Sequence, residues 1–216
     1  MDRLQERLAR IGLEVAARHG FVLGGGHAVQ LHGMGARPSE DIDLFTPSRG
    51  TPEQVEQVVV DAYGREGFQV EVRLRTPDLV QLEVSDAAGG SCKVDLGVFW
   101  QARSPVMLEI GPVLHPDDAV AGKMDALFNR WAPRDFLDID AILSSGRYTT
   151  EQLLSVAEEH NPGFERLMFA EALSYLERVP DRDFLAYGVT PERVETMRKR
   201  LNEWRRRLVP PVGGAE

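Results

Sequence analysis

One cysteine in 216 residues, Cys92, leaves no internal disulfide to form and fits a reducing compartment. Its simplest reading is a small buried hydrophobic residue. Long apolar runs are missing too, and none approaches the length of a membrane span. The N-terminal stretch MDRLQERLARIGLEVAARHG is charged and amphipathic, without the apolar centre of a secretory signal. A cytoplasmic protein with no membrane contact is therefore expected. Excess positive charge is also absent. The net charge of −9 argues against indiscriminate binding along nucleic acid, although the stretch from Arg193 to Arg207 is locally basic. No internal repeat and no low-complexity segment are present. What remains is ordinary for a globular chain: 43% apolar and 27% charged residues, enough for one large domain or two small ones.

The pattern along the chain predicts an α+β front half and a helical back half. Leu4, Leu8, Ile11 and Val15 recur at helical spacing over residues 2–18, and Gly20 stops them. A short strand Phe21-Val22-Leu23, a short helix from Ala28 to Met34 and a strand over Asp41–Phe45 follow. Thr51-Pro52-Glu53 reads as a helix start with Thr51 as the hydroxyl cap, the helix running to Arg65. Residues 68–84 alternate as two antiparallel strands around Pro77-Asp78, and Ser91–Phe99 is a third. From His115-Pro116 onward only helices are expected: to Trp131, over Asp135–Ser144, over Glu151–Glu159 behind Thr149 or Thr150, from Asn161-Pro162 to Leu176, and behind Thr190. The tail from Val209 is expected to fray. The predicted domains are residues 1–115, a mixed or antiparallel sheet flanked by helices, and residues 116–216, a helical bundle.

The chemistry is concentrated between Gly24 and Phe45, in GGGHAVQLHGMGARPSEDIDLF. On a strand Asp41 and Asp43 project to one face, while Ile42 and Leu44 take the other. Two carboxylates about 7 Å apart along a strand repel unless a cation sits between them, and Mg²⁺, a hard ion that brings phosphates with it, suits oxygen ligands. Gly24, Gly25 and Gly26 have no Cβ, so a triphosphate can approach their backbone. A dinucleotide-binding fingerprint fits poorly, since a third glycine at the required spacing is missing. On the later strand Lys93, Asp95 and Gly97 share a face opposite Val94, Leu96 and Val98. Asp95 is there the third carboxylate that a two-metal phosphoryl-transfer site needs, with Asp41–Phe45 as its partner strand.

Gly24-Gly25 followed by Arg37-x-Ser39-x-Asp41-x-Asp43 resembles the nucleotidyltransferases of the DNA polymerase β superfamily, and among them the AbiEii/AbiGii toxin-type branch of abortive-infection and type IV toxin–antitoxin systems. One departure is Gly26-His27, where many members carry Ser or Thr after the glycine pair. The toxin branch also carries a helical lysine, then an arginine, then a basic-Asp-x-x-Asp run. Lys123, Arg130, Arg134-Asp135 and Asp138 match that order. The resemblance implies that Lys123 binds triphosphate, that Arg37, Ser39 and Arg130 contribute to the nucleotide site, and that an Asp of the downstream run is a base or orients the nucleophile. Asp135 is the favoured functional acid, with Asp138 structural.

The mechanism so implied places Mg²⁺, with Mn²⁺ as an alternative, on Asp41, Asp43 and Asp95. A nucleoside triphosphate lies against Gly24–Gly26 and Lys123. Asp95 takes the proton of an attacking hydroxyl, and two ions about 4 Å apart stabilise the displacement. Ser39 is a modifiable hydroxyl facing the site. The resemblance points to tRNA or another RNA as acceptor and to a cognate antitoxin as partner. Arg198, Lys199, Arg200, Arg205, Arg206 and Arg207 either grip an RNA backbone or form the solvated face of a terminal helix. A small-molecule transferase acting on aminoglycoside-like acceptors, and a non-catalytic nucleotide-binding or antitoxin module, are the alternatives.

Overall fold

A computed structural model describes residues 1–35 and 37–209. Positions 210–216 of the expected frayed tail lie outside the described residues. The order of elements is α1 (Arg3–Ala16), β1 (Val22–Leu23), α2 (Gly25–Leu31), β2 (Asp41–Thr46), α3 (Thr51–Arg65), β3 (Gln69–Arg75), β4 (Leu79–Ser85), β5 (Ser91–Val98), β6 (Val106–Leu108) and β7 (Gly111–Val113). Helices α4 (Pro116–Arg130), α5 (Pro133–Ser144), α6 (Thr150–His160), α7 (Arg166–Ser174), α8 (Asp181–Leu185) and α9 (Pro191–Leu208) follow. The chain forms two compact units, residues 1–32 with 38–119 and residues 33–37 with 120–216. The division falls inside α4 rather than at residue 115, and the segment before Pro38 belongs with the helical unit.

In the first unit the strands form one mixed sheet in the order β3-β4-β5-β2-β1-β7-β6. β2 runs parallel to β5, and β1 runs parallel to β7; the other pairs are antiparallel. Period-2 alternation gives the sheet one apolar face. Ile42 and Leu44 of β2, Val94 and Leu96 of β5, and Val80, Leu82 and Val84 of β4 are all fully buried. Truncating one such leucine to alanine costs about 2–5 kcal/mol. Leu8 and Leu13 of α1 and Val55 and Val59 of α3 are buried with them. The Tyr63 hydroxyl of α3 donates to the Leu8 carbonyl at 3.1 Å, and a Cβ on Gly12 would meet Leu44 and that hydroxyl, each at 2.8 Å. Burial first, then nearby acids, push the Cys92 thiol up to about 12, so it behaves as the apolar residue expected.

Local signals explain most boundaries. Asp2 and Gln5 form a capping box at the start of α1, and Gly20 in the left-handed region (φ 80°) ends the following 3-10 turn. Three expectations are corrected. The residue before α3 is Gly50, not Thr51. Its left-handed backbone (φ 73°) carries no side-chain cap, and its N–H goes instead to Asp78. α2 starts at Gly25 rather than Ala28. α7 starts at Arg166, because Asn161 turns back to accept the Gly163 N–H and its own backbone is extended.

In the second unit Phe136, Ile139 and Ile142 of α5, Leu153 of α6, Phe169 of α7, Phe184 of α8 and Met197 and Leu201 of α9 are fully buried. Thr149 and Thr190 cap α6 and α9 through the N–H groups of Gln152 and Arg193. Asp140 on α5 is fully buried and takes both Arg193, at 2.6 Å, and Arg200 from α9. No helix among the described residues is long and apolar enough to cross a membrane.

Candidate active site

The polar face of the sheet gathers the acids. Along β2, Asp41, Asp43 and Phe45 alternate with fully buried Ile42, Leu44 and Thr46, so both carboxylates emerge on the side away from α1 and α3. In the parallel pairing Asp43 stands opposite Asp95, and Asp41 opposite Lys93. Neighbouring strands are about 4.8 Å apart, which brings Asp43 and Asp95 together as direct cross-strand neighbours. The strand pairing expected for Asp95 is therefore the one observed.

Gly24 and Gly25 serve first to let α2 approach this face. The Gly24 N–H donates to the Asp43 carbonyl at 2.8 Å. A Cβ on Gly24 would lie 2.2 Å from a ring carbon of Phe45, whose ring stacks on Phe99 at 5.2 Å. Gly25 has φ 58°, and a Cβ there would lie 1.7 Å from Oδ2 of Asp43. Only glycine satisfies both the backbone and that contact. Gly26 lies in the first turn of α2.

Two residues without an expected role complete the face. Lys93 Nζ lies 3.0 Å from Oδ2 of Asp95, and the Gln81 side-chain amide of β4 donates to both Asp95 oxygens at 3.3 and 3.2 Å. Burial works to lower the Lys93 pKa. The hydrogen bond to Asp95 and the charges of Asp95, Asp41 and Asp43 outweigh it and hold the ammonium above its usual range. Lys93 is visible in the sequence two residues before Asp95 on the same face. Gln81 becomes visible only once the β4–β5 register is known. Ser39 lies just before β2, its hydroxyl 3.4 Å from the Asp41 carbonyl, while its own carbonyl accepts from Gln5 of α1.

Asp41 and Asp43 offer the hard oxygen donors that Mg²⁺ takes. Among the described residues no group of three or more His, Cys, Asp or Glu side chains is arranged to hold a metal ion. Mg²⁺ is usually held by one or two carboxylates, with phosphates and water supplying the rest. The pair fits that pattern, and Asp95 is already engaged by Lys93 and Gln81.

The second unit holds the other expected residues. Lys123 of α4 lies 2.7 Å from Oδ2 of Asp138, and Arg37 approaches the same carboxylate at 3.1 and 3.3 Å. All three side chains are nearly buried, and the Arg37 guanidinium lies 5.4 Å from the Tyr187 ring centre. Burial alone would raise the Asp138 pKa, but the charge of Lys123 and the hydrogen bond and charge of Arg37 overcome it and hold it low. Asp135 has a different position. It is fully buried at the start of α5, takes a two-pronged contact from Arg130 at 2.8 and 2.6 Å, and accepts the Ala132 N–H at 3.0 Å. Trp131, at φ 56°, makes the corner between α4 and α5. The geometry therefore joins Asp138, not the favoured Asp135, to Lys123, and pairs Arg130 with Asp135. On α9, Arg198 pairs with Asp181, Lys199 with Glu195, Arg200 with Asp140, Arg205 with Glu177 and Arg207 with Glu203.

Three solved structures share this fold. MenT4, the nucleotidyltransferase toxin Rv2826c from Mycobacterium tuberculosis H37Rv, aligns with a TM-score of 0.58 at 18% identity, covering 95% of this chain and 86% of that one. A candidate nucleotidyltransferase from Helicobacter pylori aligns at 0.57 and 14% identity over 97% and 100% of the two chains. JHP933, also from Helicobacter pylori, aligns at 0.54 and 16% identity over 96% and 97%. No curated protein matches the sequence. Residues 7–208 match the sequence profile described as nucleotidyl transferase AbiEii toxin, type IV TA system. With nearly the whole chain matched and the acids on one face of the sheet, the protein belongs to the AbiEii nucleotidyltransferase toxin family of type IV toxin–antitoxin systems.

Proposed function

We propose that the protein transfers a nucleoside monophosphate from a nucleoside triphosphate to a hydroxyl of an RNA acceptor, tRNA first among them, with Mg²⁺ held by Asp41 and Asp43. The observation that carries this reading is the parallel register that sets Asp43 against Asp95 while Asp41 shares their face. Bound there, Mg²⁺ would supply charge neutralisation for the phosphate oxygens.

The protein's own residues would do the rest. Asp95, oriented by Gln81 and Lys93, accepts the proton of the attacking hydroxyl. The acceptor oxygen forms its bond to the α-phosphorus as the bond from that phosphorus to the bridging oxygen breaks, and pyrophosphate leaves. Lys123 and Arg37, held by Asp138, are the cations proposed for the triphosphate, with Gly24–Gly26 and Ser39 contributing to nucleotide binding. Lys123 and the Asp run match the order of the toxin branch, which supports that role. Membership in a type IV family implies a cognate antitoxin.

The test is incubation with each α-labelled nucleoside triphosphate, Mg²⁺ and total RNA. Label should enter RNA with wild type and stay out with Asp41→Ala. One observation favours a second acceptor class. The α9 cations proposed for an RNA backbone are largely paired with acids, whereas the acidic sheet face suits a cationic small molecule. Label entering an aminoglycoside but not RNA would select that reading.

A further inference from the structure

We propose that Lys93 is the built-in cation of the carboxylate face, standing in for a second divalent ion, so that the site takes one divalent ion on Asp41 and Asp43 together with nucleotide. This rests on the function proposed above and narrows it.

The geometry is specific. Lys93 is flanked across the sheet by Asp41 of β2 and Glu83 of β4, and its ammonium lies 3.0 Å from Asp95 on its own strand. Opposite charges directly across a sheet attract, and the Asp95 carboxylate is the more buried member of the contact. Gln81 adds a neutral donor to both Asp95 oxygens, fixing that carboxylate toward β4. Asp41, Asp43 and Asp95 would carry three negative charges when ionised. The Lys93 ammonium pairs with Asp95 and leaves Asp41 and Asp43 to hold a divalent ion. Without the ammonium, Asp95 would keep only the neutral Gln81 donor beside Asp43, which favours a second ion between them.

The experiment counts protein-bound Mn²⁺ by equilibrium dialysis with a non-hydrolysable nucleoside triphosphate analogue. It compares wild type, Lys93→Ala, Lys93→Met and Lys93→Arg. Lys93→Met keeps the aliphatic stem and removes only the charge, so it answers even where the alanine variant folds poorly. Wild type and Lys93→Arg are expected to bind one ion per chain, and the two neutral variants two. Transfer by the neutral variants should rise with the square of Mn²⁺ concentration at low metal, against first order for wild type. Two ions on a wild type that still transfers nucleotide, or one ion on both neutral variants, would overturn the role of Lys93 and leave the proposed function standing. No Mn²⁺ on wild type in the presence of nucleotide would contradict the proposed function itself and remove this inference with it.

Discussion

Lys123 and Asp138 form a nearly buried ion pair at 2.7 Å, and Arg37 reaches the same carboxylate from a position 101 residues away in the sequence. Asp135, three residues before Asp138 on α5, pairs instead with Arg130 and anchors the start of its helix. The two acids should therefore fail differently. Asp138→Asn releases both cations and is expected to lower transfer about 10–100-fold, as loss of an orienting partner does at other sites, with a higher KM for triphosphate. Asp135→Asn removes a capping carboxylate and weakens a buried pair, costing about 1–3 kcal/mol. Folded Asp135→Asn should keep most of its transfer rate. Melting curves and steady-state kinetics on both variants separate the roles. Equal kinetic losses with unchanged stability would contradict the assignment.

The Asp138 cluster also sets a pH dependence. Its folded pKa is depressed, so the unfolded chain binds more protons than the folded one at pH values between the two pKa values. The stabilisation is complete above the ordinary carboxylate range, near pH 4, and is lost as pH falls through the lower folded value. Urea midpoints of wild type and Asp138→Asn should differ at pH 7 and converge as pH drops below about 4. A gap that widens on acidification would reverse the sign.

Gly25 tests the approach of α2 to the acids. Gly25→Ala puts a Cβ where Oδ2 of Asp43 now lies and forces a left-handed backbone on alanine, costing about 1–2 kcal/mol for the backbone alone. Asp43 must move, and transfer should collapse. Gly64→Ala, in α3 with open space at its Cβ, is the control. It should be neutral or stabilising by about 0.5–1 kcal/mol. Full activity in Gly25→Ala would show that the position of Asp43 does not matter.

Much of this was legible in the sequence because the signals were local. Thr149 and Thr190 cap their helices, and the alternation around Asp41, Asp43 and Asp95 gave their face, while the need of a phosphoryl-transfer site for a third carboxylate suggested the strand pairing. β6 and β7 were not legible. Gly111-Pro112-Val113 carries turn residues, and it becomes a strand by pairing with β6 and, far away in sequence, with β1. The Arg37–Asp138 pair has the same origin, since no spacing rule links residues so distant. On α9 the sequence showed a basic stretch, but its partners Asp140, Asp181 and Glu177 lie on other segments, so their pairing was hidden until the fold was known.

That pairing makes Arg200, whose partner Asp140 is fully buried, structural. Arg200→Ala leaves the buried Asp140 carboxylate with Arg193 alone and should cost about 1–3 kcal/mol, the range for losing one partner of a buried polar group. RNA affinity of the folded variant should change little, and its salt dependence should match wild type, read by filter binding over a range of KCl. A slope shallower by about one unit would return Arg200 to an RNA-gripping role.

The central claim is that the acids on β2 carry nucleotide transfer. Its most direct measurement is incorporation of α-labelled nucleotide by wild type and Asp43→Asn side by side, with Mg²⁺, total RNA and matched melting curves. The account predicts labelled RNA and released pyrophosphate from wild type, and neither from a variant that melts within a few degrees of it. Transfer by folded Asp43→Asn at the wild-type rate would contradict it.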